Sequence, residues 1–119
     1  MDNRHVGRLY VLEGQLTNNL PAPRCRILIK ATLLDVGGQE LSHREFVAGT
    51  TATISELKLL DWNELQAILT PSGQDLCQTT TIQPGGSGRF MTVFRDPPAQ
   101  ASTFDLIVSD SQPPGPTPK

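Results

Sequence analysis

The chain has 119 residues, a formal charge of −2 at pH 7 and a pI near 5.6. This balance argues against a domain built to bind nucleic acid, because phosphate binding depends on clustered Lys and Arg side chains. No stretch approaches the roughly 20 apolar residues of a membrane-spanning helix, and the start lacks the segments of a signal peptide, so any export or anchoring signal is expected outside this chain.

The first predicted elements are two strands joined by a polar corner that contains prolines. Alternating side chains predict a strand over residues 9–17. At residues 18–23 the asparagines tolerate left-handed backbone and the prolines end strand pairing, so this corner is interpreted as a bend with no assigned binding role. In the strand that follows, the apolar side chains that share one face are Cys25, Ile27, Ile29, Ala31 and Leu33.

A hairpin turn and then a change of period mark the middle of the chain. Two glycines at residues 35–38 predict a tight turn, after which a third strand is expected over residues 39–48. Capping-box patterns begin at Thr53 and Asp61, so residues 53–70 are predicted to form a short helical insertion. The apolar side chains that share one helical face, and that are expected to pack on a sheet, are Trp62, Leu65, Ile68 and Leu69.

The last third of the chain returns to strand patterns. A polar run at residues 78–83 is predicted as a weak edge strand, followed by a turn at residues 84–86. Residues 88–95 are apolar on both faces, which is typical of a central strand. Residues 103–109 alternate again, and the proline-rich residues 111–119 are expected to be a disordered tail. The side chains of the last strand that are expected to point inward are Phe104, Leu106 and Val108.

Strand spacing, turn chemistry and the scarcity of helix together predict a mainly β protein. We expect a single domain over residues 6–110, folded as an immunoglobulin-like antiparallel β-sandwich with the helical insertion at residues 53–70. The side chains expected to form its core across two sheets are Ile27, Ile29, Leu33, Phe90, Phe104 and Leu106.

A family resemblance is carried by five segments that occur in order: LYVLEGQLTN, ILIKATLLDVGGQEL, ISELKLL, IQPGGSGRFMTVFRDPP and FDLIVSDS. Over residues 8–110 the chain resembles an uncharacterised domain that follows a zinc-ribbon finger and a single membrane helix in many bacterial proteins. It is similar, more loosely, to the immunoglobulin-like FxLYD-type domains. The resemblance implies a periplasmic or extracytoplasmic location behind a membrane anchor, and it brings no catalytic residues with it.

The two cysteines, Cys25 and Cys77, leave two interpretations open. They are too far apart for a CxxC motif, and neither His5 nor His43 stands at ligand spacing from them, so no metal site is predicted. An oxidising compartment would allow a disulfide. Two reduced side chains that act as small hydrophobes are the favoured interpretation.

No catalytic constellation and no cofactor site is predicted. The sequence lacks a G-x-S-x-G motif, and His43 is expected at a sheet surface. The carboxylates of Glu56, Asp61 and Glu64 are assigned to helix capping and first-turn positions. The glycine-rich residues 84–88 precede a strand, whereas a phosphate-binding loop precedes a Lys and a helix.

The preferred hypothesis is a non-enzymatic interaction module with an unidentified protein partner, reaching a membrane only through a segment absent from this chain. The alternative is a small-molecule or glycan binding domain that uses the helical insertion as a lid. A partner is expected to bind at the insertion or by strand addition to the edge at residues 78–81, because the short polar side chains of this run include no Lys that would guard it. The candidate binding residues are Trp62, Thr79, Thr80 and Thr81.

Overall fold

The computed structural model describes residues 1–70 and 81–112. Two antiparallel sheets, each of three strands, form in these ranges, with the strand orders β1-β2-β5 and β4-β3-β6. This architecture confirms the prediction of a mainly β sandwich. The elements are β1 (Asp2–Asn3), β2 (Gly7–Thr17), β3 (Cys25–Leu34), β4 (Glu40–Val47), α1 (Ile54–Leu59), α2 (Trp62–Leu69), β5 (Ser87–Arg95) and β6 (Thr103–Gln112).

The core between the sheets is built on the apolar face of β3, as the alternation predicts. All five predicted side chains of that face are buried. Ile27 and Ile29 pack with Phe90 of the opposite sheet. Nearby, Leu12 and Phe94 of the β2–β5 pair form a second cluster, which they share with Ala31 and Leu33 of β3.

The β3–β4 hairpin turns where the two glycines predict it. The Asp35 carboxylate accepts hydrogen bonds from the backbone N–H groups of Gly37 and Gln39, both at 2.9 Å. Gly38 has a φ of +85°, a conformation that glycine adopts without steric cost. The corner at residues 18–23 is likewise a bend between strands, as predicted.

The helical insertion forms a third layer on the outer face of the β2–β5 pair. Leu57, Leu65 and Leu69 are buried in one cluster with Met91 and Val93 of β5. Both predicted capping boxes are present, starting at Thr53 in α1 and at Asp61 in α2. The prediction of helix over residues 53–70 is therefore confirmed, with a break between two short helices.

Replacing the N-cap of α2 tests how much these caps stabilise the insertion. We expect Asp61→Ala to lower the free energy of unfolding by about 1 kcal/mol, because the N–H of Glu64 loses its acceptor. The matched control is Ser55→Ala, at an exposed position inside α1, which should leave stability within about 0.5 kcal/mol. Urea unfolding measures both changes, and equal midpoints for the two variants would contradict the capping role.

β5 is buried on both faces, but it is not a central strand in the described part of the chain. It pairs with β2, and on its other edge the carbonyl of Arg89 accepts a backbone hydrogen bond from the N–H of Gly49, the one such bond among the described residues. Its two apolar faces are buried because the helices cover one and the β4-β3-β6 sheet covers the other. Apolar character on both faces therefore reflects a third layer rather than a strand neighbour on each side.

Two of the side chains predicted to point inward from β6 are exposed. Phe104 retains 45% of its accessible surface and Val108 retains 57%, while Leu106 is half-buried. The predicted phase is correct, since Phe104 stands beside Leu33 and Val108 beside Ile29 on the core face of the sheet. These side chains are exposed because β1 spans two residues, so no described strand of the facing sheet lies beyond β2 to cover β6.

The first and last described residues are both part of the fold. Asn3 is buried, and its Nδ2 donates to the carbonyls of Leu57 and Leu60 at 2.6 and 2.8 Å. At the other end, β6 continues to Gln112, two residues into the predicted tail. The remainder of that tail, residues 113–119, lies outside the described residues.

Candidate functional site

On one side of the sandwich, a strand edge has no paired neighbour among the described residues. Met1 and Leu9 exchange both backbone hydrogen bonds, so the N–H and C=O of Leu9 point away from β5, whereas the carbonyl of Arg8 accepts from Asp96 at the end of β5. Backbone groups alternate along a strand, and the β2–β5 register is continuous. The N–H and C=O groups of Val11, Glu13 and Gln15 therefore point away from β5 and have no partner in the described ranges.

Apolar side chains line the same side of the molecule. One cleft lies between Leu16 of β2 and Val108 of β6, with Ile29 and Phe90 at its base. A second cleft shares Leu16 and Val108 and continues towards Leu20 in the corner. We call this surface the open side, defined by the β2 edge at Val11, Glu13 and Gln15 and by the β6 side chains of Phe104, Leu106 and Val108.

The corner between β2 and β3 positions one end of the open side. Asn18 is buried, and its Nδ2 donates to the carbonyls of Ala22 and Ile82 at 2.9 and 2.8 Å. Its Oδ1 accepts from the N–H of Leu20 at 2.9 Å, and the Leu20 side chain remains 51% exposed. The hydrogen bonds of Asn18 therefore stabilise the bend, which places the apolar side chain of Leu20 beside the second cleft of the open side.

Trp62, the aromatic candidate from the sequence, occupies a different surface. It is partly buried against the helix cluster, and it lines neither cleft of the open side. The guanidinium groups of Arg44 and Arg95 lie 5.3 and 5.1 Å from its ring centroid. Sequence reasoning missed these arginines, although Arg44 stands between Ser42 and Phe46 on the side of β4 that faces the core, an unusual place for a charge.

The threonine candidates are not brought together with Trp62 by the described structure. Thr79 and Thr80 lie outside the described residues. Thr81 belongs to no strand, and the next residue, Ile82, forms an isolated bridge with Arg24. Within the described part of the predicted edge strand at residues 78–83, the chain thus makes one bridge in place of a ladder.

The side chains that were weighed for catalysis lie at surface and helix-capping positions in the described ranges. His43 lies 3.0 Å from Glu40 on the surface, with about half of each side chain exposed. Glu56 and Glu64 accept hydrogen bonds from the N-cap residues of their own helices. No three His, Cys, Asp or Glu side chains in these ranges come together as metal ligands.

Cys25 corrects the favoured interpretation of two reduced cysteines. It is disulfide-bonded and has no accessible surface. The only other cysteine in the sequence is Cys77, which lies outside the described residues. A bond at this point ties the start of β3, and therefore the core face of the central strand, to another part of the chain.

The comparison with protein families decides the kinship of this sequence. Residues 2–108 match the model of a family described as a protein of unknown function (DUF3426). The chain belongs to this family. No curated protein and no solved structure matches it.

Neither helix in the described ranges has the length and apolar character that crossing a membrane requires.

Proposed function

We propose that this member of the DUF3426 family is a non-enzymatic interaction module that binds an extended segment of a partner protein along the open side. The observation that carries the proposal concerns the described residues: there, an edge of β2 has no strand partner, and apolar side chains of the facing β6 are exposed beside it. An unpaired edge offers hydrogen-bonding groups to any extended chain, and natural proteins usually cover or guard such edges. Here Glu13 is the one charged side chain among Val11, Glu13 and Gln15.

The chemistry that we propose for the partner segment follows from the shape of the open side. A strand added to β2 hydrogen bonds to the outward backbone groups of Val11, Glu13 and Gln15. Every second side chain of that strand then points towards β6 and covers Phe104 and Val108, which the facing sheet leaves exposed. The partner segment is therefore extended and alternates apolar with polar residues, since side chains of a strand point alternately to the two faces of a sheet.

The location of the module is part of the same proposal. We place it on the extracytoplasmic side of a bacterial membrane, as the anchored part of a protein with a zinc ribbon and one membrane helix. The disulfide of Cys25 supports this location, because disulfides persist in oxidising compartments and are rare in the cytosol. The immunoglobulin-like, FxLYD-like kinship belongs to the proposal too, supported by the antiparallel sandwich.

The alternative of a small-molecule or glycan carrier has less support from the contacts. A lid must be able to leave the cavity that it covers, but Leu65 and Leu69 of α2 are buried in one cluster with Val93 of the sheet. The clefts of the open side are lined by strand and corner residues rather than by helix residues. We therefore favour the interaction module.

The test uses a proline that removes one outward N–H. We expect Gln15→Pro to fold and to lose affinity at least about tenfold for an extended peptide selected against the wild-type domain, since proline is tolerated at strand edges but cannot donate. On binding, the wild-type amides of Val11, Glu13 and Gln15 should exchange more slowly with deuterium. Isothermal titration calorimetry and amide exchange measure the two effects.

The matched control is Leu16→Pro, on the next residue of the same strand. Its N–H points towards β5, so this variant should lose stability through the broken β2–β5 ladder. Selected peptides that bind Gln15→Pro with unchanged affinity, and that leave the three amides unprotected, would rule out strand addition at this edge.

A further inference from the structure

The cations beside Trp62 have no counterion in the described structure. Arg44 is half-buried, and its side chain donates to Oε1 of Gln66, a neutral acceptor. Its Nε is buried and has no hydrogen-bond partner. The salt bridges formed within residues 1–70 and 81–112 are His43–Glu40 and Arg89–Glu13, so neither Arg44 nor Arg95 is neutralised there.

The two guanidinium groups also act on each other. Burial lowers the pKa of Arg44, and the nearby positive charge of Arg95 lowers it further. A guanidinium remains charged at physiological pH in proteins, so the two charges repel across a partly desolvated site. Two neighbouring cations without an acid raise the local positive potential, and an anion that enters the site relieves the repulsion.

The arginines reach this position from different layers. Arg44 extends from β4 and Arg95 from the end of β5, and both approach the ring of Trp62 at the start of α2. The ring attracts each cation through its quadrupole and restricts where each guanidinium can lie. A planar guanidinium presents paired N–H donors that match two oxygens of a carboxylate or phosphate.

We propose that Arg44, Arg95 and Trp62 form a binding site for an oxyanion, that is, for a phosphate or carboxylate group. This site is separate from the open side, and its existence does not depend on strand addition. The oxygens of the anion accept from guanidinium donors that have no acceptor among the described residues. The indole ring, about 5 Å from each guanidinium, restricts where the two groups lie.

The chain provides its own reporter, because Trp62 is the only tryptophan. We expect inorganic phosphate to change Trp62 fluorescence along a saturable curve, with a dissociation constant on the order of 1 mM. Sodium chloride at equal ionic strength serves as the reference for screening. Arg95→Gln should raise the dissociation constant for phosphate at least about tenfold. Arg95→Lys should raise it less, since Lys keeps the charge but not the paired donors.

Arg89→Gln is the matched control for Arg95→Gln. Both arginines are exposed on β5 and, six residues apart, lie on the same face of the strand, but Arg89 pairs with Glu13 at 3.8 Å. Arg89→Gln should therefore leave the phosphate curve unchanged. Thermal unfolding of both variants without phosphate identifies any loss of fold, so a structural role of Arg95 is separated from a binding role.

A free anion and a lipid headgroup carry the same oxygens, so the two sources are tested apart. Inorganic phosphate and acetate represent free groups, and phosphatidylglycerol vesicles, compared with phosphatidylcholine vesicles, represent a membrane surface. A fluorescence response to any of the anionic probes that Arg95→Gln weakens at least about tenfold and Arg89→Gln preserves supports the site. The absence of a saturable response to all of them, or an equal response in both variants, overturns it.

Discussion

Ile29→Ala is expected to lower the free energy of unfolding by about 2–5 kcal/mol, the range for a large aliphatic side chain removed from a core. Ile29 is 2% exposed and lies in a cluster with Ile27 and Phe90, where strands of both sheets meet. Because neighbouring strands hold that cluster on both sides, the cavity left by the missing atoms can collapse only partly. Equilibrium unfolding in urea, analysed at constant m-value, measures the change.

The control for this prediction is Ile107→Ala, which makes the same chemical change on the neighbouring strand. Ile107 pairs with Lys30 in the β3–β6 register and is 51% exposed. Its removal leaves no enclosed cavity, so we expect a loss below about 1 kcal/mol, within the range of strand propensity. A loss for Ile29→Ala below about 0.5 kcal/mol, or one equal to that of Ile107→Ala, would contradict the packing described for β3.

Reduction of the disulfide is the second change with a large expected effect. Dithiothreitol should lower the free energy of unfolding of the wild-type domain by about 2–5 kcal/mol, the usual cost of losing a native disulfide in a small domain. The physical reason is that the reduced chain gains unfolded conformations that the bond excludes. Mass spectrometry of an unreduced digest should find Cys25 joined to Cys77.

Cys25→Ala separates the bond from the side effects of the reductant. This variant keeps a small apolar side chain at the buried position but cannot form the bond, so dithiothreitol should not change its stability. Wild-type stability that is unaffected by dithiothreitol, or a variant that responds as strongly as the wild type, would contradict a stabilising role for the disulfide. The first result would also remove the support that the bond gives to an oxidising location.

The difference between β3 and β6 shows what an alternating strand pattern can predict about burial and what it cannot. Alternation in β3 predicted its buried face correctly, because this strand has a sheet neighbour on each side and a second sheet in front of it. Alternation in β6 predicted the correct phase, but Phe104 and Val108 are exposed at the edge. Alternation with a period of two residues indicates which side chains share a face of the sheet. It contains no information about whether another layer covers that face.

The candidate sites divide in the same way. The sequence identified Trp62 as an aromatic on a helix, but the two arginines beside it come from β4 and β5, 18 residues before it and 33 after it. A contact between residues so far apart depends on how the layers are stacked. The sequence could not predict the β2 edge that is unpaired among the described residues either. A pattern of alternating residues is the same in an edge strand and in an interior strand.

The sequence by itself determined the local structure: the strand phases, the hairpin turn at Gly38, the corner and the two capped helices. Those features depend on side chains close together in the chain, on φ preferences and on backbone donors near helix ends. Only the tertiary structure decided that a helical layer buries β5 and that Cys25 is disulfide-bonded. It also decided that, among the described residues, no strand beside β2 covers the side chains of β6. Each of these depends on the order of strands in the sheets and on contacts between distant residues, which local patterns do not encode.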